Sequence, residues 1–165
     1  VAGRRSGDTG DVVGTYLHKG LELGPLAVQR IVDAIPSSEY DRQVDPERFS
    51  LRDSVAHLAD WDTINLERVR RGATEPGCTV PGLDEGQRAL DSGYANTDPR
   101  EQARLFVQRR AELLRFVDGL TEEDLAKVYY HSERGRQTVY ESLVTILGHD
   151  TYHVEHLARY LAPRS

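Results

Sequence analysis

Apolar residues recur every three to four positions along most of this chain, the spacing of helices that bury one face. From 12 to 35 the stripe runs through Leu17, Leu21, Val28, Ile31, Val32 and Ile35, with Gly24-Pro25 as a point where a helix can be disturbed and Pro36-Ser37-Ser38 as its end. A second stripe, Leu51, Val55, Leu58, Trp61, Ile64 and Val69, opens at Asp45-Pro46 or at Ser50 and is predicted to stop at Arg71, before Gly72. A third starts at Thr97 or Asp98, places Pro99 in its first turn, and passes Leu105, Phe106, Leu113, Leu114, Phe116 and Val117 to Gly119. Thr121-Glu122-Glu123-Asp124-Leu125 reads as a short capped turn, and 128–137 as an irregular stretch with room for a short extended excursion. The last helix opens on Thr138-Val139-Tyr140-Glu141, a capping box by type and spacing, and runs to Leu161, with Pro163 as its stop.

Four long amphipathic helices and no convincing set of strands predict an all-α four-helix bundle, whose interior between facing helices is a natural place for metals and cofactors. The glycine-rich, polar residues 1–10 are expected to be flexible, and 11–165 to form one domain. Between 72 and 97 the composition turns to Gly, Pro, Thr and Asp. A connection of that length between the second and third helices either covers the mouth of a pocket or only crosses the end of the bundle.

Composition narrows the function classes. Hydrophobic residues at 38% and charged residues at 29% suit a folded globular chain, and no apolar run is long enough for a membrane span. With 21 basic against 27 acidic side chains the net charge is −6, which repels polyanions; no basic stripe offsets it, so nucleic acid is excluded as the expected partner and Arg134 and Arg136 read as solvated charges. Cys78 is the one cysteine, so neither an internal disulfide nor a cysteine-rich zinc site is available. A cytoplasmic location is expected from this and from residues 1–7, which lack the apolar middle of a secretory signal.

Histidine carries the candidate chemistry. His149 and His153 lie four residues apart on the last helix, so their rings share a face about 6 Å apart along the axis and can close on one ion. Six histidines in a chain of this length give roughly 0.2 such pairs by chance, so the pair alone is weak. Its setting strengthens it: the pair sits in an apolar stripe, and His57, on the Trp61/Ile64 flank of the second helix, can supply a third nitrogen. His156 shares the same side of the last helix, which leaves His153 with His156 as the competing ligand pair; otherwise His156 lines the pocket as a proton donor or base. The resemblance of 149–153 to the His-Glu-x-x-His protease motif is set aside, because Asp150 is one methylene short. His18 and His131 read as structural, and Cys78 as incidental. Asp60 and Asp150 are candidates for proton transfer (Asp60) or for orienting ligand imidazoles, with solvated helix charges as the ordinary reading.

Two segments resemble a known family. Val55-Ala56-His57-Leu58-Ala59-Asp60-Trp61 is similar to the second-helix signature, and Leu147-Gly148-His149-Asp150-Thr151-Tyr152-His153 to the last-helix signature, of the DinB/YfiT-like superfamily of bacterial four-helix proteins. The likeness runs from about Asp11 to Leu161. It implies a divalent metal, zinc or nickel, held by His57, His149 and His153, and a homodimer. It also implies a thiol S-transferase acting on a small-molecule substrate with a low-molecular-weight thiol as cosubstrate, or else a hydrolase using a metal-bound water. A glutamine is frequent in the family where this chain has His156. The rival from another class is a non-catalytic metal-binding or interaction module.

Overall fold

The computed structural model describes residues 14–162. Its helices are α1 (Thr15–Ala34), α2 (Leu51–Thr74), α3 (Glu85–Asp91), α4 (Pro99–Val117), α5 (Glu122–Ala126) and α6 (Val139–Ala158), of which α3 and α5 are short. The expected flexible segment 1–10, the start of the first helix at 12 and the stop at Pro163 lie outside the described residues.

Side chains fix the starts of three of the four long helices, α1 alone opening on a glycine, Gly14. The Ser50 hydroxyl accepts the Asp53 N–H at 3.1 Å, the Asp98 carboxylate accepts from Arg100 and Glu101 behind Pro99, and Thr138 with Glu141 forms the expected capping box. Each such cap contributes about 1 kcal/mol. Two helices run on past glycines, one where the sequence allows a disturbance and one where it predicts a stop. α1 is continuous through Gly24-Pro25, because its small residues lie hard against α6: a Cβ at Gly20 would come 2.8 Å from Leu147 Cδ1, and one at Gly24 2.8 Å from Asp150 Oδ2. α2 passes Gly72 because that glycine makes room for the Tyr129 ring rather than ending the helix; a Cβ there would sit 2.6 Å from Tyr129 Cδ1.

A small sheet accompanies the helices and takes in the short extended excursion allowed for 128–137. Residues Val128–His131 (β2) and Gly135–Thr138 (β3) form an antiparallel hairpin, and Thr79–Val80 (β1) joins β2 in parallel, pairing Thr79 with Tyr130 and Val80 with His131. Strands of two and four residues are too short to print an alternating pattern. The 72–97 connection is likewise structured, holding the last turn of α2, β1, α3 and a 3₁₀ turn at Tyr94–Asn96.

The four long helices form a bundle in which α1 and α2 each pack against both α4 and α6, so the consecutive helices α1 and α2 lie across the diagonal. Two apolar clusters fill it. One, around Leu21, Val69, Leu113, Tyr129 and Leu143, lies toward the sheet; the other joins Val28, Val32, Val55, Leu58, Phe106 and Leu157. Between these clusters three of the four long helices turn polar residues inward: Asp62 on α2, Arg110 on α4, and His149, Asp150 and His153 on α6. The candidate site is part of this polar belt. Among the described residues no helix is long and apolar enough to cross a membrane.

Candidate metal centre

α2 and α6 face each other across the polar belt and bring His57, His149 and His153 together, with one nitrogen from each ring within 4.8 Å of the others. The Nε2 atoms of His57 and His149 are 3.0 Å apart, and the ring centres of His153 lie 5.0 Å from His57 and 4.6 Å from His149. His57 is fully buried and held by Trp61, one turn on, whose ring centre is 4.5 Å away, and by Phe49 at 5.6 Å. The third nitrogen is thus supplied across the bundle, as the apolar flank of α2 implied. His156, one turn beyond His153, is not part of the cluster.

Burial keeps these rings neutral. Loss of water, followed by the neighbouring His149, pushes His57 down to about 3; loss of water with Arg110 and Arg134 brings His149 to about 4; loss of water with the other two imidazoles brings His153 to about 2. A neutral imidazole offers a lone pair, the form in which histidine binds a metal. Nδ1 of His57 and Nδ1 of His153 are buried without a hydrogen-bond partner. Unpartnered buried nitrogens are costly, and on rings that converge they fit a site built to hold something. The donor set is that of an open zinc-type centre, three nitrogens with positions left for other ligands.

Two recesses meet here. The wider, about 290 Å³, is lined by Arg48, Phe49, Ser54, Tyr152, His153 and His156; the narrower, about 80 Å³, by Trp61, Asn65, Arg68, Tyr129 and Arg134; His149 and Glu85 border both. Glu85 is a functional candidate that the sequence reading missed. It stands at the start of α3 behind the capping residue Asp84, and burial together with the Asp84 charge holds its carboxyl above the usual range. The Asp-Glu pair ahead of a short helix was the only signal in the sequence, and it did not say that α3 would fold over the histidines. α3 thus borders the pocket, the first of the two readings of the long connection.

The acidic neighbours of the ligands are committed elsewhere. Asp60 is neither solvated nor bonded to an imidazole: both oxygens accept from Arg88, at 2.7 and 2.9 Å, and Oδ2 also from the Tyr94 hydroxyl at 2.6 Å. Asp150 is buried and bonds Arg110, as does Asp62; Arg110 makes five bonds, two to each of these carboxylates and one to the Leu21 carbonyl. In each case a guanidinium outcompetes an imidazole as partner, because it brings a charge and a two-pronged fork. Burial, the larger influence, raises the Asp150 carboxyl to about 6 against the pull of Arg110.

The remaining candidates are structural. His18 Nε2 bonds Asp118 at 2.8 Å, His131 Nδ1 accepts N–H groups of its own turn, and Cys78 packs against the apolar cluster beneath the sheet. Arg136 is exposed as expected; Arg134 is exposed too, yet it borders the narrower recess.

Residues 21–157 match the model of the DinB superfamily. The chain is 21% identical over 139 residues to OB0413 of Oceanobacillus iheyensis, named as a candidate metal-dependent hydrolase, covering 84% of this chain and 80% of that one. Its fold is similar to YfiT from Bacillus subtilis, described as a probable metal-dependent hydrolase with an unusual four-helix bundle topology (TM-score 0.84, 19% identity, 97% and 91% of the two chains). It is also similar to a mycothiol-dependent maleylpyruvate isomerase (TM-score 0.71, 14% identity, 87% of this chain), of which it spans 60%. A family model that spans most of the chain, on a bundle of this topology, makes the protein a member of the DinB superfamily.

Proposed function

We propose that this protein is a metal-dependent enzyme in which His57, His149 and His153 hold a divalent cation, zinc or nickel, and that it transfers a small thiol to a second small molecule. The observation that supports this reading is the convergence of three neutral imidazoles, His57 and His153 buried and His149 partly so, where two recesses meet. A reaction between two organic substrates needs two places beside one centre. When bound, the ion would lower the pKa of a thiol or water enough to give a nucleophile near neutral pH. The protein's own part is to keep three lone pairs aimed at one point, to exclude bulk water through Trp61 and Phe49, and to place the Glu85 carboxyl where it borders both recesses. Cys78 takes no part. A purely structural metal site is closed, whereas this cluster opens on two sides, which favours catalysis over a binding module.

The second reading is hydrolysis by a metal-activated water, favoured by the descriptions of OB0413 and YfiT. Metal analysis of purified protein tests the centre: about one ion per chain in the parent, lost in His57→Ala, His149→Ala and His153→Ala, and kept in His156→Gln. Loss in His156→Gln with retention in His149→Ala would overturn this ligand set. Consumption of free thiol by an electrophile panel, dependent on the metal-loaded protein, supports transfer; ester or amide cleavage without any thiol would replace it by hydrolysis.

A further inference from the structure

The wider recess holds three polar groups that no part of the proposed centre uses. Ser54, in the first turn of α2, and His156, near the end of α6, are each 0% exposed, and neither the Ser54 hydroxyl nor either ring nitrogen of His156 has a hydrogen-bond partner. Arg48, from the loop before α2, lines the same recess. Its guanidinium lies 3.7 Å over the Tyr152 ring and makes one long bond, 3.4 Å, to the Tyr152 carbonyl; among the described residues it forms no ion pair.

We propose that Arg48, Ser54 and His156 form a carboxylate-binding subsite, so that the substrate handled beside the three imidazoles is a small carboxylic acid in its anionic form. A buried hydroxyl and a buried imidazole are expensive to leave unbonded, and two such side chains lining one recess imply a ligand that satisfies them. The groups share one chemistry: a guanidinium, a hydroxyl and a neutral imidazole can each donate, so their complement is an acceptor, and Arg48 makes that acceptor an anion. Stacking on Tyr152 fixes the plane of the fork, the arrangement that suits a planar carboxylate. Glu47 and Glu85 line the same recess, which disfavours a doubly charged phosphate. His149 and His153 border this recess, so a carboxylate anchored here leaves the rest of a small molecule pointing toward the imidazoles. The placing of the reacting end rests on the proposed metal centre; the anion subsite itself does not.

The test uses metal-free protein, titrated with butyrate, butyramide and inorganic phosphate while the histidine ring protons are followed by NMR. The expected result is a saturable shift of the His156 signal with butyrate, at least about tenfold weaker with butyramide or phosphate. Arg48→Gln should weaken butyrate by about tenfold or more and Ser54→Ala to a smaller extent, with Arg48→Lys in between. Equal responses to butyrate and butyramide in the parent protein, which require no variant to fold, would overturn the subsite. So would tighter binding of phosphate, or loss of butyrate binding in His149→Ala with retention in Arg48→Gln; that last result would leave the metal centre standing.

Discussion

Glu85 is a glutamate on a seven-residue helix whose carboxyl is held above the ordinary range by burial and by Asp84, at the place where both recesses meet His149. A carboxyl that holds its proton more tightly than usual beside a metal centre is suited to taking and returning one. Glu85→Gln keeps the shape and removes that capacity; turnover should fall by about 10²-fold while bound metal stays at the parent level, and unchanged turnover in a metal-loaded assay would remove Glu85 from the chemistry. The ligand residues themselves were readable from the chain, because His149 and His153 share a helical face by spacing alone and His57 lies on a flank of its own stripe. Arg48, Ser54 and Glu85 were not, since their convergence depends on loop paths that no local period records.

Between the elements, Arg110 is the joint. It reaches from α4 to Asp62 on α2, Asp150 on α6 and the Leu21 carbonyl on α1, with bonds of 2.5 to 3.0 Å. Asp150 is next to His149 in the chain, and Asp62 is five residues beyond His57, so this joint sets how the two ligand-bearing helices face each other. Arg110→Met would leave two carboxylates buried without a counter-charge and should cost about 3–5 kcal/mol of unfolding free energy in urea, whereas Asp62→Asn, which relieves the excess negative charge, should cost less than half as much. A smaller loss for Arg110→Met than for Asp62→Asn would refute this account. At this scale the long helices were legible from their 3.6-residue period, and the caps at Ser50, Asp98 and Thr138 from residue type. The joint left only a faint trace, an arginine in the stripe that runs Phe106, Arg110, Leu113, Val117; the hairpin showed only as room for an extended excursion at 128–137, its strands being too short to print a pattern.

For the whole molecule, the polar belt makes stability depend on acidity. In the folded chain His57, His149, His153 and His156 protonate at about 3, 4, 2 and 4, while the unfolded chain protonates them near 6.5. As pH falls below 6.5 the unfolded state therefore takes up protons that the folded state refuses, so stability present at neutral pH is lost down to about pH 4. The raised carboxyls of Asp62 and Asp150 act in the opposite sense, since the folded state protonates them first, but two groups only partly offset four. Each net proton contributes about 1.4 kcal/mol per pH unit, so the urea midpoint of the metal-free protein should fall steadily from pH 7 to pH 5, and a flat or rising midpoint would contradict the burial of the four rings.

The single tryptophan of the chain, Trp61, has its ring centre 4.5 Å from that of His57 and is 7% exposed. Ultraviolet emission from the protein therefore originates in an indole lying against one of the three convergent rings. Whatever alters the electron density of that imidazole alters the brightness or colour of its neighbour, so the centre carries an intrinsic optical gauge of its own state.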